Sequence, residues 1–367
     1  MHVCHDKEES CFPALARQNM TKKMPALQKK SAGSGLMLQD APVPEPGKND
    51  VLVRIRKTGI CGTDVHIYCW DEWASRRVHP PLIVGHEFMG VVESVGDAVD
   101  NFKPGDMVSG EGHIGCGHCY FCRTGQGHIC RSVQIIGVDR NGCFAQFMTL
   151  PQGNVWKLKP EIPEEVGAIF DPYGNAMHTV MAQAVAGKSV AIIGAGAIGL
   201  IACKIAEAAG ALSVAAIEPN ERKRQLARDY GASAVFNPVE SAWKERFLAG
   251  TPEHIGVDIV LEMSGSEAGI RSAFELVRPG GEVALLGIPP GDIRLNLPEA
   301  IIFKAVTVRG INGRLMFETW YQCERFLLDH KLDLRPLITH RFPYGEYEKA
   351  FRALEEGSAV KVILDWE

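Results

Sequence analysis

Ser189-Val-Ala-Ile-Ile-Gly194-Ala-Gly196-Ala-Ile-Gly199-Leu-Ile is the stretch whose reading decides the fold. The apolar run Val190 to Ile193 predicts a strand covered on both faces. Three glycines in the spacing G-x-G-x-x-G follow at once and lead into Leu200 to Ala209, which reads as a helix. A strand, a tight turn and a helix are the context that a dinucleotide-binding turn requires. Gly194 allows the turn, Gly196 lets a pyrophosphate approach the backbone, and Gly199 permits close packing of helix on strand. Backbone amides at the helix start then meet the phosphates. The next strand, Ser213 to Ile217, runs into Glu218, about 20 residues on, where a carboxylate suits the ribose hydroxyls. Glu218 repels the 2′-phosphate of NADP, whereas Arg222, Lys223 and Arg224 offer it basic partners. The reading favours NAD.

Around this stretch the pattern continues. Glu221 to Tyr230 reads as a helix, and Val257 to Leu261 and Glu282 to Leu286 as strands. Strands alternating with helices predict a parallel sheet with both faces covered. From Leu36 to about Leu150 the signals change to short strands punctuated by Pro42, Pro44, Pro46, Gly47 and Pro104-Gly105. That pattern predicts a largely antiparallel, barrel-like domain. Trp320 to His330 reads as a helix, and Val360 to Leu364 as a strand returning to the first domain. The expected class is α/β, with a catalytic domain over 24–175 to which 319–367 returns. A doubly wound Rossmann domain is expected over 176–318. Residues 1–23 have no periodic apolar pattern and no signal-peptide core, and they read as a disordered tail or an early start, with Met20 and Met24 as alternatives.

Composition narrows the function classes. The chain has 367 residues and a formal charge of −5, which gives no reason to expect nucleic-acid binding. No apolar run approaches the roughly 20 residues that span a bilayer. Of eleven cysteines, four crowd between Cys116 and Cys130. An odd total without a secretory leader argues for metal ligands rather than a disulfide framework.

Two metal constellations stand out. Cys116-x2-Cys119-x2-Cys122-x7-Cys130 can close a tetrahedral zinc shell with no open position. An iron–sulfur cluster shares part of that spacing, as in an electron carrier. The second set is spread out. Cys61-Gly-Thr63-Asp-Val-His66 is expected in a turn after the first clear strand, and Gly85-His86-Glu87 in a second turn. Cys61 and His86 are soft and borderline ligands suited to zinc, and Glu87 can add an oxygen or stay behind them. Fewer than four fixed protein ligands leaves a position for water or substrate, as a catalytic zinc needs.

These motifs, in this order, resemble the zinc-containing medium-chain alcohol dehydrogenases from about Met24 to the C-terminus. The resemblance implies a GroES-type catalytic domain, one catalytic and one structural zinc per subunit, NAD, a cytoplasmic location and a homotetramer. It places Cys61, His86 and Glu87 at the catalytic metal and Cys116, Cys119, Cys122 and Cys130 at the structural one. Thr63 and His66 match a proton relay, and Asp171 an acidic residue near the metal. Ile198, Glu218, Lys223, Leu286, Gly287, Ile288, Ile311 and Asn312 fall on NAD contacts. Lys223 stands where relatives usually carry Arg, and Asn312 where the residue is often aromatic or small. Within the family, Trp70-Asp-Glu-Trp73, Gly110-Glu-Gly-His113, Phe170 to Ala176 and Arg314 to Trp320 resemble the branch that oxidises L-threonine to L-2-amino-3-oxobutanoate. Polyol and 2,3-butanediol dehydrogenases share the general motifs but resemble these stretches less, and a polyol or 2,3-butanediol dehydrogenase is the alternative reading. For an amino-acid substrate, Asp171, Glu111 or Glu318 is expected to face the ammonium, and Arg314 or His113 the carboxylate.

Overall fold

The computed structural model describes residues 22–367 except Pro290, His330 and Lys331. The expected tail lies outside the described residues up to Thr21. Its last residue does not: Lys23 opens the first strand opposite Pro42, and Val43 donates its amide to Lys22 O at 2.8 Å. The first strand therefore begins before Met24.

The first half runs β1 (Lys23–Lys29), β2 (Met37–Pro42), β3 (Asp50–Ile60), α1 (Gly62–Cys69), α2 (Glu72–Arg77), β4 (Leu82–Ile83), β5 (Glu87–Val95), β6 (Met107–Gly110), β7 (His113–Ile114), α3 (Tyr120–Arg123), β8 (Gln134–Ile135), β9 (Phe147–Pro151), β10 (Val155–Lys157) and α4 (Glu164–Ala168). The second half runs α5 (Phe170–Met181), β11 (Ser189–Ile193), α6 (Ala197–Ala208), β12 (Ser213–Ile217), α7 (Glu221–Asp229), β13 (Ala234–Phe236), α8 (Trp243–Ala249), β14 (Val257–Glu262), α9 (Glu267–Leu276), β15 (Val277–Leu285), β16 (Thr307–Gly310), α10 (Glu318–Asp329), β17 (Ile338–Pro343), α11 (Tyr347–Glu355) and β18 (Lys361–Asp365).

β3 organises the first half. It is long enough to serve three partners: β5 along one edge, and β9 then β18 along the other. Val51, Val53 and Ile55 alternate into one core with Phe88, Val108, Phe144 and Phe351, as a half-buried strand requires. The sheet order is β10-β6-β5-β3-β18-β17, antiparallel except where β17 meets β18. A smaller sheet, β2-β1-β4, contributes Leu27 and Leu82 to the same core.

The second half forms a wholly parallel six-stranded sheet in the order β13-β12-β11-β14-β15-β16. β11 shows why its apolar run is continuous. Val190 and Ile192 enter a core with Leu200, Ile201 and Ile205 of α6. Ala191 and Ile193 enter the opposite core with Ile270 and Phe274 of α9 and Trp243 of α8. The strand order reverses at β11, so a crevice opens beyond its carboxyl end, where such sheets bind ligands.

The two halves share apolar packing. Phe170 and Tyr173 of α5, Trp320 of α10 and Ile363 of β18 belong to the same core as β11. Phe170 stacks on Trp320 with ring centres 5.5 Å apart, and Tyr173 donates to Cys323 O at 3.1 Å. The expected boundary at 175/176 falls inside α5. The chain thus crosses between its halves on a helix and not on a loose linker.

Candidate active site and metal clusters

Cys61 is the residue before α1, and the structure corrects the expectation of a turn there. Thr63 and His66 are helical. Gly62 to Cys69 carries three β-branched residues and no apolar stripe, so its helix depends on its start. The buried Asp64 carboxylate accepts the Cys61 amide at 2.9 Å and anchors that start. The other Asp64 oxygen lies 3.5 Å from Nδ1 of His86, tying the two segments together.

His86 and Glu87 approach from the link into β5. Gly85 holds φ +91°, and a Cβ there would fall 2.1 Å from the Phe144 ring, so no other residue fits. Cys61, His86 and Glu87 each bring a ligand atom within 4.8 Å of the others. His86 is buried, and among the described residues its Nδ1 and Asp64 Oδ1 have no hydrogen-bond partner. A thiolate, an imidazole and a carboxylate in one buried cluster fit the donor set that zinc takes. Glu87 is already paired with Lys361 of β18 at 2.5 Å, and Lys361 also donates to Ile60 O at 2.9 Å. The sequence reading missed Lys361. Its one signal is a lysine inside the apolar run Val360 to Leu364.

The cluster opens into a cleft of about 260 Å³ lined by Cys61, Thr63, His86, His113, Asp171, Ile198, Leu286, Ile288, Ile311 and Asn312, among others. Residues expected at the metal and residues expected at the cofactor thus share one wall. His66 follows Thr63 by one helical turn and lies outside that lining, with its side chain 41% exposed. A larger cavity of about 730 Å³ is lined by Gly194, Gly196 and Glu218. Gly199 packs so close to Gly194 O that a Cβ would fall 1.9 Å from it. Glu218 accepts the amides of Ala195 at 2.9 Å and Asn220 at 3.0 Å, which fixes the glycine turn against the next strand. Lys223 and Gly287 line neither space. Arg224 spends its guanidinium on Glu218 O and Pro219 O at 2.9 and 2.6 Å.

Asp171, Glu111 and Arg314 form a buried ion network. Arg314 Nη1 meets Asp171 at 2.5 Å, and its Nε meets Glu111 at 2.8 Å. Trp320 Nε1 donates to Glu111 at 2.9 Å, and the His113 ring nitrogen lies 2.9 Å from the same carboxylate. Burial alone would raise the Glu111 pKa, but the Arg314 guanidinium and His113 beside it hold it well below the usual carboxylate range. This corrects the expectation that Arg314 and Glu111 are free for substrate. Glu111 is fully buried, Arg314 nearly so, and they satisfy each other. Glu318 is exposed, receives a bond from Gln322 and lies outside the cleft lining.

The four lobe cysteines also converge, with ligand atoms within 4.8 Å. The Cys116 and Ser132 amides each donate to Cys130 Sγ at 3.3 Å. Backbone amides of Cys122 and Arg131 lower the Cys119 thiol to about 6. Such N–H donors favour the thiolate at Cys119 and Cys130, two of the four a four-sulfur zinc shell needs, while burial pushes Cys122 up. Cys69 lies outside both clusters and bonds Glu355 at 3.2 Å.

With this geometry in place, the chain is seen to belong to the zinc-binding medium-chain alcohol dehydrogenases. The family of the alcohol dehydrogenase GroES-like domain matches residues 47–161, and that of the zinc-binding dehydrogenases matches residues 197–329. Its cofactors are zinc and NAD. The L-threonine 3-dehydrogenase of Deinococcus deserti is 46% identical over 346 residues, covering 94% of this chain and 99% of that protein. The L-threonine 3-dehydrogenase of Escherichia coli K12 is 44% identical over 344 residues, 94% of this chain and all of the relative. Among solved structures, galactitol-1-phosphate dehydrogenase from Escherichia coli superposes with a TM-score of 0.86 at 30% identity, covering 94% of this chain and 100% of that one.

Proposed function

We propose that this dehydrogenase oxidises the secondary hydroxyl of L-threonine to give L-2-amino-3-oxobutanoate, with NAD as hydride acceptor. The observation that carries the chemistry is the shared cleft, in which Cys61, His86 and Thr63 face Ile198, Leu286, Ile288 and Ile311. The likeness to the threonine dehydrogenases over 94% of the chain supports the substrate.

Cys61, His86 and Glu87 would hold the catalytic zinc, whose Lewis acidity lowers the pKa of a hydroxyl and makes hydride loss feasible. Cys116, Cys119, Cys122 and Cys130 would hold the second zinc as a closed staple. Gly194, Gly196, Glu218 and the Ile198–Asn312 wall would bind the dinucleotide, which only accepts hydride. Thr63 accepts the hydroxyl proton as it hands its own onward, and the relay ends at His66, one helical turn further along, which releases a proton to solvent. Asp171 holds Arg314 at the cleft floor, and the apolar wall keeps water from the reacting carbon. His113 meets the polar end of the substrate, its ring fixed by Glu111.

A homotetramer in the cytoplasm completes the proposal. The edge strand β16 is exposed over its whole length, and Leu297, Ile302 and Phe303 stand exposed nearby. Unpaired apolar edges of this kind favour association. The thiol-rich lobe suits a reducing compartment. The deciding experiment is NADH formation with L-threonine, sorbitol, 2,3-butanediol and ethanol. L-threonine is expected to give the highest kcat/KM. A higher value for sorbitol or the diol overturns the substrate assignment and leaves the metal chemistry standing.

A further inference from the structure

We infer that Asp71 is a positioning residue for the proton relay: it fixes the tautomer of His66 and holds the ring at the cleft rim. The inference rests on the assignment of His66 to proton delivery. It is carried by geometry at the corner between α1 and α2. Asp71 Oδ1 accepts the Ala74 amide at 3.0 Å and caps α2, while Oδ2 bonds Nδ1 of His66. A serine or asparagine would serve the cap alone. The second oxygen is therefore free for the ring.

The backbone is bent to bring it there. Trp70 adopts φ 60° and ψ 49°, a left-handed conformation unusual for a bulky residue, and this folds Asp71 back beside His66. Lys29 secures the bend. It reaches from β1 to lie 4.8 Å from the Trp70 ring centre and donates to Gly35 O at 3.0 Å. Trp73, which lines the cleft, packs its ring 5.9 Å from that of His66 on the other side. The other charged groups at this corner are engaged elsewhere. Asp64 bonds the Cys61 amide, Glu355 of α11 bonds Cys69, and Glu72 pairs with Arg76.

A carboxylate on Nδ1 makes that nitrogen the protonated one in neutral His66 and leaves the Nε2 lone pair as the acceptor. The proton lost by the substrate hydroxyl ends on Nε2, giving an imidazolium that the Asp71 charge stabilises. The exposed ring then releases the proton to water, and the Nδ1–H bond to Asp71 is unbroken throughout.

The test uses the full-length, zinc-loaded enzyme and the variants Asp71→Ser, Asp71→Asn and His66→Gln. Nitrogen-15 spectra of the histidine rings, with the His66 signal assigned by difference from His66→Gln, are read together with kcat and KM. In the wild type His66 is expected as the Nδ1–H tautomer. Asp71→Ser should lose that tautomer, lower kcat about tenfold with KM within twofold, and keep the melting temperature. Asp71→Asn keeps the Ala74 cap with its oxygen and turns an NH2 donor toward Nδ1, so it should lose the Nδ1–H tautomer while holding the fold; it decides the matter if Asp71→Ser folds poorly. An unchanged ring spectrum or an unchanged kcat in the Asp71 variants overturns the inference. A His66→Gln enzyme with normal kcat instead overturns the relay assignment itself.

Discussion

A thiolate at Cys61 and an imidazole at His86 supply charge and lone pairs that serine and alanine lack. Cys61→Ser or His86→Ala is therefore expected to lower kcat by roughly a thousandfold or more, about 4 kcal/mol of barrier. Neither side chain anchors a core, so the melting temperature should move by only a few degrees; kinetics, zinc analysis and thermal unfolding together check this. Lys361 behaves differently. Replacing it with methionine leaves the Glu87 carboxylate buried without its cation, which costs about 3–5 kcal/mol. Urea unfolding should show that loss, and Glu87→Gln in the same chain should recover part of it. The clustering of Cys61 with His86 was legible because each residue sits in a short motif of its own. The partnership of Glu87 with Lys361 was not, because 274 residues separate them and neither motif implies the other. The same holds for Glu111 and Arg314. Each looked like a free charge for a substrate, and only their mutual burial shows that they bind each other.

At the scale of elements, legibility followed the source of each element's stability. β11 is covered on both faces, so its apolar run announces it. α1 is held by the Asp64 contact at its start and by tertiary packing, and its sequence reads as a turn. The four-cysteine lobe is an extreme case of stability from outside local propensity. It has only short elements, β7, α3 and β8, and three of its four thiols are partly exposed. Cys119→Ser is expected to halve the zinc content and to weaken the fold before it affects chemistry. Zinc per subunit and the unfolding midpoint are the measurements. An unchanged midpoint would mean that the lobe is not stapled by metal.

For the whole molecule, the network of Glu111 with Arg314 is a clamp between halves that are far apart in sequence. Its contribution depends on pH with a definite sign. Glu111 titrates lower in the folded chain than in the unfolded one, so its stabilisation is complete above the unfolded value of about 4.3 and is lost as pH falls toward the folded value. The stability penalty of Glu111→Gln, measured by urea unfolding, should be largest near pH 7 and shrink below about pH 4. Assembly offers a second check. Val308→Lys on the exposed β16 or Phe303→Lys beside it should reduce the particle mass seen by light scattering, with little change in the subunit's own fold. The alternation of strands and helices made the two-part architecture readable, but the sharing of one core across α5 and α10 has no sequence signature.

The placement of β18 bears on how the chain is made. The ribosome emits β3 and Glu87 long before β18, yet β18 pairs with β3 and its Lys361 neutralises Glu87. A nascent chain can complete the parallel sheet of 189–310 while its catalytic half still waits with an open strand edge and a buried acid lacking its base. The active centre can therefore exist only once β18 has been made, and a chain cut before Lys361 holds the glycine-turn sheet without the strand and the cation that complete its catalytic half.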